Sequence, residues 1–465
     1  MQMTLFGLAL LPLCLACAMA PLRLLELVFI AAVFGAAAAL VIGPLGLPPG
    51  LPPAMLFIGY VVLQYALGAR YPGEARVWRL LEPLVVTLVY ALATSLILPR
   101  IFAGQFDVWP QKVDADYPFP VPLGASSANF TQDMYLLSNA TLAILAAVFL
   151  TRRGIDFTRL LRAYLLGGVL VVLVCFWQLA SRIAGVPYPD TLFYSNPGWV
   201  IFPAQSFGVV PRINGPFSEP AALAFYLSGI VFSTAWILLR GHRSRLAAVL
   251  LPGAVVAMLL STSTTGYAVL GAGGAFLLAY ALTSAPRPVA GRILAFGVPL
   301  VLVGVLGAVA LASLDPSFAN SVQEVAQATA DKGQGQSFAE RTTLDLDSLG
   351  LLLPSYGLGA GWGSVRSSSL IPGLLANLGV VGVAPLAWFV WRLRRAIRRA
   401  ARLAEAAEQR MVIEAFSASL IGLLVAGVLS APTISGIDFF LGLGVLIGCV
   451  GRVEHEAAAR CGQAA

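Results

Sequence analysis

The stretch TRRGIDFTRLLRAYLLGGVLVVLVCFWQLA, Thr151 to Ala180, joins a loop holding four arginines to an apolar run without a single charge. A run of about 17 to 25 such residues crosses a bilayer as one helix, and arginine collects on the cytoplasmic side of it. The same pattern recurs from end to end of the 465 residues. The chain is 58% hydrophobic and 11% charged, and its mean hydropathy is +0.85, far from the balance of a soluble globule. Spans are predicted at 3–20, 24–43, 54–69, 80–98, 134–151, 161–184, 219–240, 247–262, 266–283, 293–314, 370–391, 411–430 and 437–451. The expectation is an all-α, polytopic integral membrane protein of about 12 to 13 transmembrane helices. The lower number holds if the first run only dips into the membrane. LACAMAP, ending at Pro21, has the look of a cleavage site, but the run lacks a basic leader and reads as a retained span.

Alternate connections are rich in arginine: RYPGEARVWR, TRRGIDFTRLLR, LRGHRSR, APRPVAGR and WRLRRAIRRAARLAEAAEQR. With Arg23 and the tail, this side takes 22 of the 27 arginines, leaving Arg100, Arg182, Arg212, Arg341 and Arg366 on the other. The net charge of +7 is therefore a topology signal. RRAIRRAARLAEAAEQR reads as an amphipathic inner-surface helix; no aromatic residues interleave it, so no nucleic-acid partner is expected. On the outer side the connections are long: 99–133, 185–218 and 315–369. Loops of that length usually carry function. The whole chain, 1–465, reads as one transmembrane domain, with 315–369 as a long outer loop. SFANSVQEVAQATA within it sets Phe318, Val322 and Val325 on one helical face, suited to lying along a membrane surface. The five cysteines form no recurring CxxC pair, and His242 and His455 are the only histidines, so neither a metal nor a cofactor is expected.

Chemistry is sought where charge meets the outer face. RINGPFSEP, Arg212 to Pro220, opens a span; Arg341 follows Glu340 in the long loop. A guanidinium is a planar fork of donors that stays charged and matches phosphate oxygens. Arg212 and Arg341 are thus candidate diphosphate ligands, with pairing of Arg212 to Glu219 or to loop carbonyls as the structural alternative. Glu219 lies between Ser218 and Pro220 at a helix start, where it either caps the helix or accepts a hydroxyl proton as a base. Arg100 and Arg366 lie near helix ends, where arginines snorkel. LLSTSTTGYAVL, 259–270, is a polar turn whose Ser263 and Thr265 either contact substrate or satisfy free backbone groups. GLGAGWG, 357–363, lacks the strand that a dinucleotide fingerprint requires, and reads as close approach of backbone to a helix or a ligand. Tyr188, Phe193, Tyr194, Trp199, Tyr356 and Trp362 either stack on sugar faces or anchor the chain at the interface. Arg366, Tyr356, Trp362 and Glu340 complete the candidate substrate contacts.

RINGPFSEP at the head of one span, STSTTG at the far end of the next, and Arg341 followed by PSYGLGAGWG resemble, in order and spacing, the O-antigen polymerase and O-antigen ligase superfamily. The likeness covers residues 205 to 385. It implies a GT-C-like, metal-independent glycosyltransferase of the bacterial inner membrane, acting on the periplasmic face with an undecaprenyl diphosphate-linked saccharide as donor and another as acceptor. Arg212 and Arg341 would hold the diphosphate. A flippase and a chain-length regulator of the same pathway are the further partners it implies. Ligases of this superfamily carry a histidine after the glycine-rich turn, whereas SVRSSSLIPGLLANLG has none. The resemblance therefore points to a polymerase of O-antigen, capsule or exopolysaccharide, with a ligase or a lipid-oligosaccharide flippase or secondary transporter as alternatives.

Overall fold

A computed structural model describes residues 2–43, 45–111, 119–199, 201, 206–207, 210–283, 285–297, 336–431, 433–434 and 436–463. The structure is mostly helical. In chain order the helices are α1 (Leu5–Ala16), α2 (Pro21–Ala32), α3 (Leu51–Ala66), α4 (Glu74–Ile101), α5 (Ser127–Phe149), α6 (Phe157–Ala184), α7 (Asp190–Phe193), α8 (Pro220–Leu239), α9 (Arg245–Leu260), α10 (Thr264–Thr283), α11 (Arg287–Arg292), α12 (Gln336–Gly350), α13 (Leu370–Leu403), α14 (Ala407–Ser430) and α15 (Ile437–Gln463). Among the described residues, seven helices are long and apolar enough to cross a membrane: α4, α5, α6, α8, α10, α13 and α14. The chain is a multi-pass membrane protein. Helices α1, α3 and α9 are apolar but shorter.

The core forms where α14 packs on α8, α15 on α5 and α13 on α4. Phe29 of α2 sits at its centre, with Tyr164 and Phe416 at ring-centroid distances of 5.5 and 5.8 Å. Along α15, Leu441, Val445, Leu446, Ile447 and Cys449 are all fully buried, so this helix is wrapped by its neighbours rather than by lipid.

The predicted span 24–43 is not a helix throughout. Helix α2 stops at Ala32, and its 12 residues rise only about 18 Å, well short of a hydrocarbon core of about 30 Å. Ala36 to Ala39 are fully buried in non-helical backbone. Then Leu40–Ile42 pairs antiparallel with Leu45–Leu47 and with Gln2–Met3. Such backbone survives in a bundle only when protein groups satisfy it. Here Ala36 N donates to Pro216 O (3.0 Å), Asn196 N donates to Ala36 O (3.2 Å), and Ala38 N donates to Ser195 Oγ (3.1 Å). The run 3–20 is likewise helical only over Leu5–Ala16. Of the run 293–314, Ile293–Gly297 forms a π-helical turn; the rest, and the expected amphipathic helix around Phe318, Val322 and Val325, lie outside the described residues.

Helix α13 is broken at Gly379, whose φ of 62° and ψ of −174° are non-helical. GLGAGWG threads this break. Ala360 N donates to Ala376 O (2.8 Å), Gly361 N to Asn377 O (3.1 Å) and Val380 N to Gly357 O (2.9 Å). Gly361 has φ +97°, and a Cβ there would lie 2.6 Å from Thr94 O on α4, so only glycine fits. Close approach to helix backbone is what this turn does. The Asn377 amide fixes it, accepting from Ser364 N and Val365 N (both 3.1 Å) and donating to Gly373 O (2.8 Å).

Candidate functional site

The loop before α8 is held before any ligand arrives. Gln178 of α6 accepts from Asn214 N (3.0 Å) and Gly215 N (2.9 Å) through Oε1 and donates to Asn214 Oδ1 (2.9 Å) through Nε2. Tyr194 donates to Gly215 O at 2.9 Å. Gly215 adopts φ +55°, and a Cβ there would stand 2.7 Å from Cys175 Sγ; the glycine of RINGPFSEP is a steric requirement. Trp177 packs edge to face with Tyr188 and Phe193, and those two rings lie tilted against each other. Tyr194 and the buried Phe193 brace the loop from within.

From this fixed loop projects Arg212, half-buried. Its Nε donates to Ser261 O across a long 3.5 Å, and no ion pair to Glu219 forms, although Glu219, Tyr267 and Arg341 all lie close enough to act on its charge. Burial lowers the Arg212 pKa from the ordinary guanidinium value; Glu219 and Tyr267 pull it back and Arg341 pushes it further down. An arginine remains a cation at any working pH. Glu219 is the N-cap residue of α8, but its side chain makes no capping bond and is exposed, so the capping role is not taken up.

Across from Arg212 lies the STSTTG turn between α9 and α10. Ser261, Thr262, Ser263 and Thr265 are all buried. Ser261 Oγ donates to Met258 O (2.7 Å) and accepts from Ser263 N (3.3 Å); this hydroxyl satisfies backbone. Thr265 Oγ1 bonds Ser430 Oγ at 2.6 Å, tying the start of α10 to the end of α14. Thr262 differs. Its φ is +48°, a strained conformation for a β-branched residue, and its buried hydroxyl has no partner among the described residues.

Arg341 arrives on α12, which is docked by its own carboxylates. Asp345 accepts from Ser368 N (2.8 Å), Ser369 N (3.0 Å) and Ser369 Oγ (2.6 Å), tying α12 to the residues that precede α13. Asp347 accepts from Trp109 Nε1 at 2.9 Å. Arg341 stands one turn before Asp345, on the same helical face, and is exposed with Glu340. Arg341, distant in the chain, thus lies close enough to Arg212 to act on its charge, as does Glu219 of the same loop.

The other candidates scatter. Tyr356 is 83% exposed, 6.5 Å from the Phe102 ring. Trp362 is 8% exposed, enclosed by Ala91, Leu378 and their neighbours. Arg366 is exposed, its backbone N bonded to Trp109 O at 2.8 Å. Arg100 donates to Leu96 O within its own helix. Sequence reading passes over Tyr267, whose hydroxyl donates to Leu259 O at 3.0 Å beside Arg212, and Asp438, half-buried in the first turn of α15. The only sequence signal for Asp438 is a carboxylate at the head of an apolar run. No family model matches the chain, and no curated protein matches it.

Proposed function

We propose that this chain is a polysaccharide polymerase of the O-antigen polymerase and ligase superfamily. In this reading it is a GT-C-like protein of 12 to 13 spans in the bacterial inner membrane, with the Arg212 end facing the periplasm. Its donor and acceptor are undecaprenyl diphosphate-linked repeat units, and the product is an O-antigen, capsule or exopolysaccharide. The observation that carries the reading is that Arg341 lies close enough to Arg212 to act on its charge while neither forms an ion pair among the described residues. Outside the cytoplasm no nucleotide sugar is at hand, so the leaving group must already be activated. Breaking the anomeric bond leaves negative charge on the diphosphate, which two preorganised guanidinium groups would stabilise. Glu219 is the carboxylate nearest in role to an acceptor base.

The experiment is incubation of the purified protein with lipid-linked repeat unit. A product ladder that vanishes in Arg212→Ala and Arg341→Ala, with both variants folded, supports the reading; ladders unchanged in both remove it. One observation favours a second reading, a flippase or transporter of the same lipid: α13 is discontinuous at Gly379, as transporter helices often are. Translocation of the lipid without elongation would select that alternative.

A further inference from the structure

At the arginine-rich end, α4, α13 and α15 enclose a cleft of about 300 Å³ lined by Arg76, Arg399, Leu403, Glu454, Ala457 and Ala458. Its charges do not cancel. Arg76 Nη1 meets His455 Nδ1 at 2.9 Å; that nitrogen accepts, so the ring is neutral there and takes no charge from the arginine. Arg399 has Glu454 at 3.7 Å, the longest of the seven described ion pairs, and its side chain is 61% exposed. Two guanidinium groups thus share one carboxylate over a floor of alanine and leucine.

Depth follows from helix register. Arg392 of α13 bonds Glu82 of α4 at 3.3 Å, and the two helices run antiparallel. Six residues toward the arginine-rich end along α4 is Arg76, and seven along α13 is Arg399, so both stand about 9 to 11 Å beyond that pair. Trp78, Trp388 and Trp391 are 42%, 55% and 51% exposed and flank the same pair. Exposed tryptophans mark the headgroup level of a bilayer. The cleft therefore opens just above the aromatic belt, where phospholipid phosphates lie, and its volume suits a small polar head.

We propose that this cleft binds the headgroup of an anionic phospholipid, its phosphate between Arg76 and Arg399 and its glycerol against Ala457, Ala458 and Leu403. Basic clefts between helices near the surface suit such lipids. The site is separate from Arg212 and independent of the reaction catalysed there.

The test is native mass spectrometry of the full chain in detergent, titrated with phosphatidylglycerol, with zwitterionic phosphatidylcholine, or with glycerol phosphate. Wild type should retain phosphatidylglycerol over phosphatidylcholine, and glycerol phosphate should not displace it. The Arg76→Gln/Arg399→Gln double variant should bind phosphatidylglycerol about thirtyfold more weakly, and Glu454→Gln about fivefold more tightly. Equal retention of the two lipids, displacement by glycerol phosphate, or no gain in Glu454→Gln would each overturn the proposal. The last variant keeps the test decisive even if the double variant fails to fold.

Discussion

At one end of the molecule Arg159 binds Glu26 at 2.7 Å, Arg240 and His242 grip Glu414 at 2.9 Å each, and Arg452 binds Glu456 at 2.8 Å. Arg70, Arg152, Arg392, Arg395 and Arg452 at that end also stand over aromatic faces. At the other end neither Arg212 nor Arg341 enters an ion pair among the described residues. Yet that end does not lack acids: Asp345 and Asp347 are spent on Ser368, Ser369 and Trp109. Asp345 and Asp347 at the Arg212 end serve backbone and scaffold, while Glu26, Glu414 and Glu456 at the arginine-rich end serve arginine. The difference separates paired charge that shapes the fold from Arg212 and Arg341, which, like Arg76 and Arg399 in the cleft of the opposite end, are left open to an outside anion.

The sharpest way to break this contrast is to delete a cation from each class. Arg212→Ala and Arg341→Ala should each lower polymer synthesis by about 10²- to 10³-fold, the scale of losing a preorganised donor to a developing anion. Both should change thermal stability by less than about 1 kcal/mol, because no pair is broken. Glu414→Ala should do the reverse. It strands Arg240 and His242 where α8 meets α14 and should cost about 2 to 3 kcal/mol of stability, while synthesis per folded molecule stays at the wild-type rate. Unfolding in graded denaturant beside the ladder assay reads both. Equal behaviour of the two ends would erase the distinction.

Much of this was readable in advance because charge is rare in an apolar chain. Length and hydropathy place α4, α5, α6, α8, α10, α13 and α14, and Arg212 and Arg341 stand out against their surroundings. The break after α2 was hidden. Ala36 to Ala39 favour helix by propensity, and Pro216, Ser195, Asn196, Leu47 and Thr4, most of them distant in sequence, supply bonds that hold them out of it. Gly379 looks like any glycine in a transmembrane run until Gly357 meets it from another loop. Tyr267 and Ser430 carry no mark, since hydroxyls at helix ends are common. Trp362 misled: as an aromatic of an outer loop it reads as a sugar-stacking or interface residue, but Gly361 and Gly363 let α4 and α5 close over it.

Two smaller effects sharpen the contrast. Thr262→Gly should raise stability by about 1 kcal/mol, since glycine adopts φ +48° without strain. If the unpartnered hydroxyl serves the site, synthesis should fall as stability rises; a gain in stability with unchanged synthesis would assign Thr262 to packing alone. The smallest effect belongs to the paired end and depends on pH. Burial raises the Glu456 carboxyl, but hydrogen bonds from Arg452 and Gln409 outweigh it and hold the group below its ordinary value of 4.5. A depressed carboxyl stabilises the fold fully above its unfolded value and loses that contribution as pH falls through the lower, folded one. Gln409 belongs to α14 and Glu456 to α15, joined at 3.2 Å, so acid should loosen this junction by about 0.5 kcal/mol, the scale of a partly exposed pair. Melting curves from neutral to acid pH should show that loss in wild type and a flatter profile in Glu456→Gln. The Arg212 end, whose cations have no described carboxylate partner to protonate, should contribute nothing to the difference.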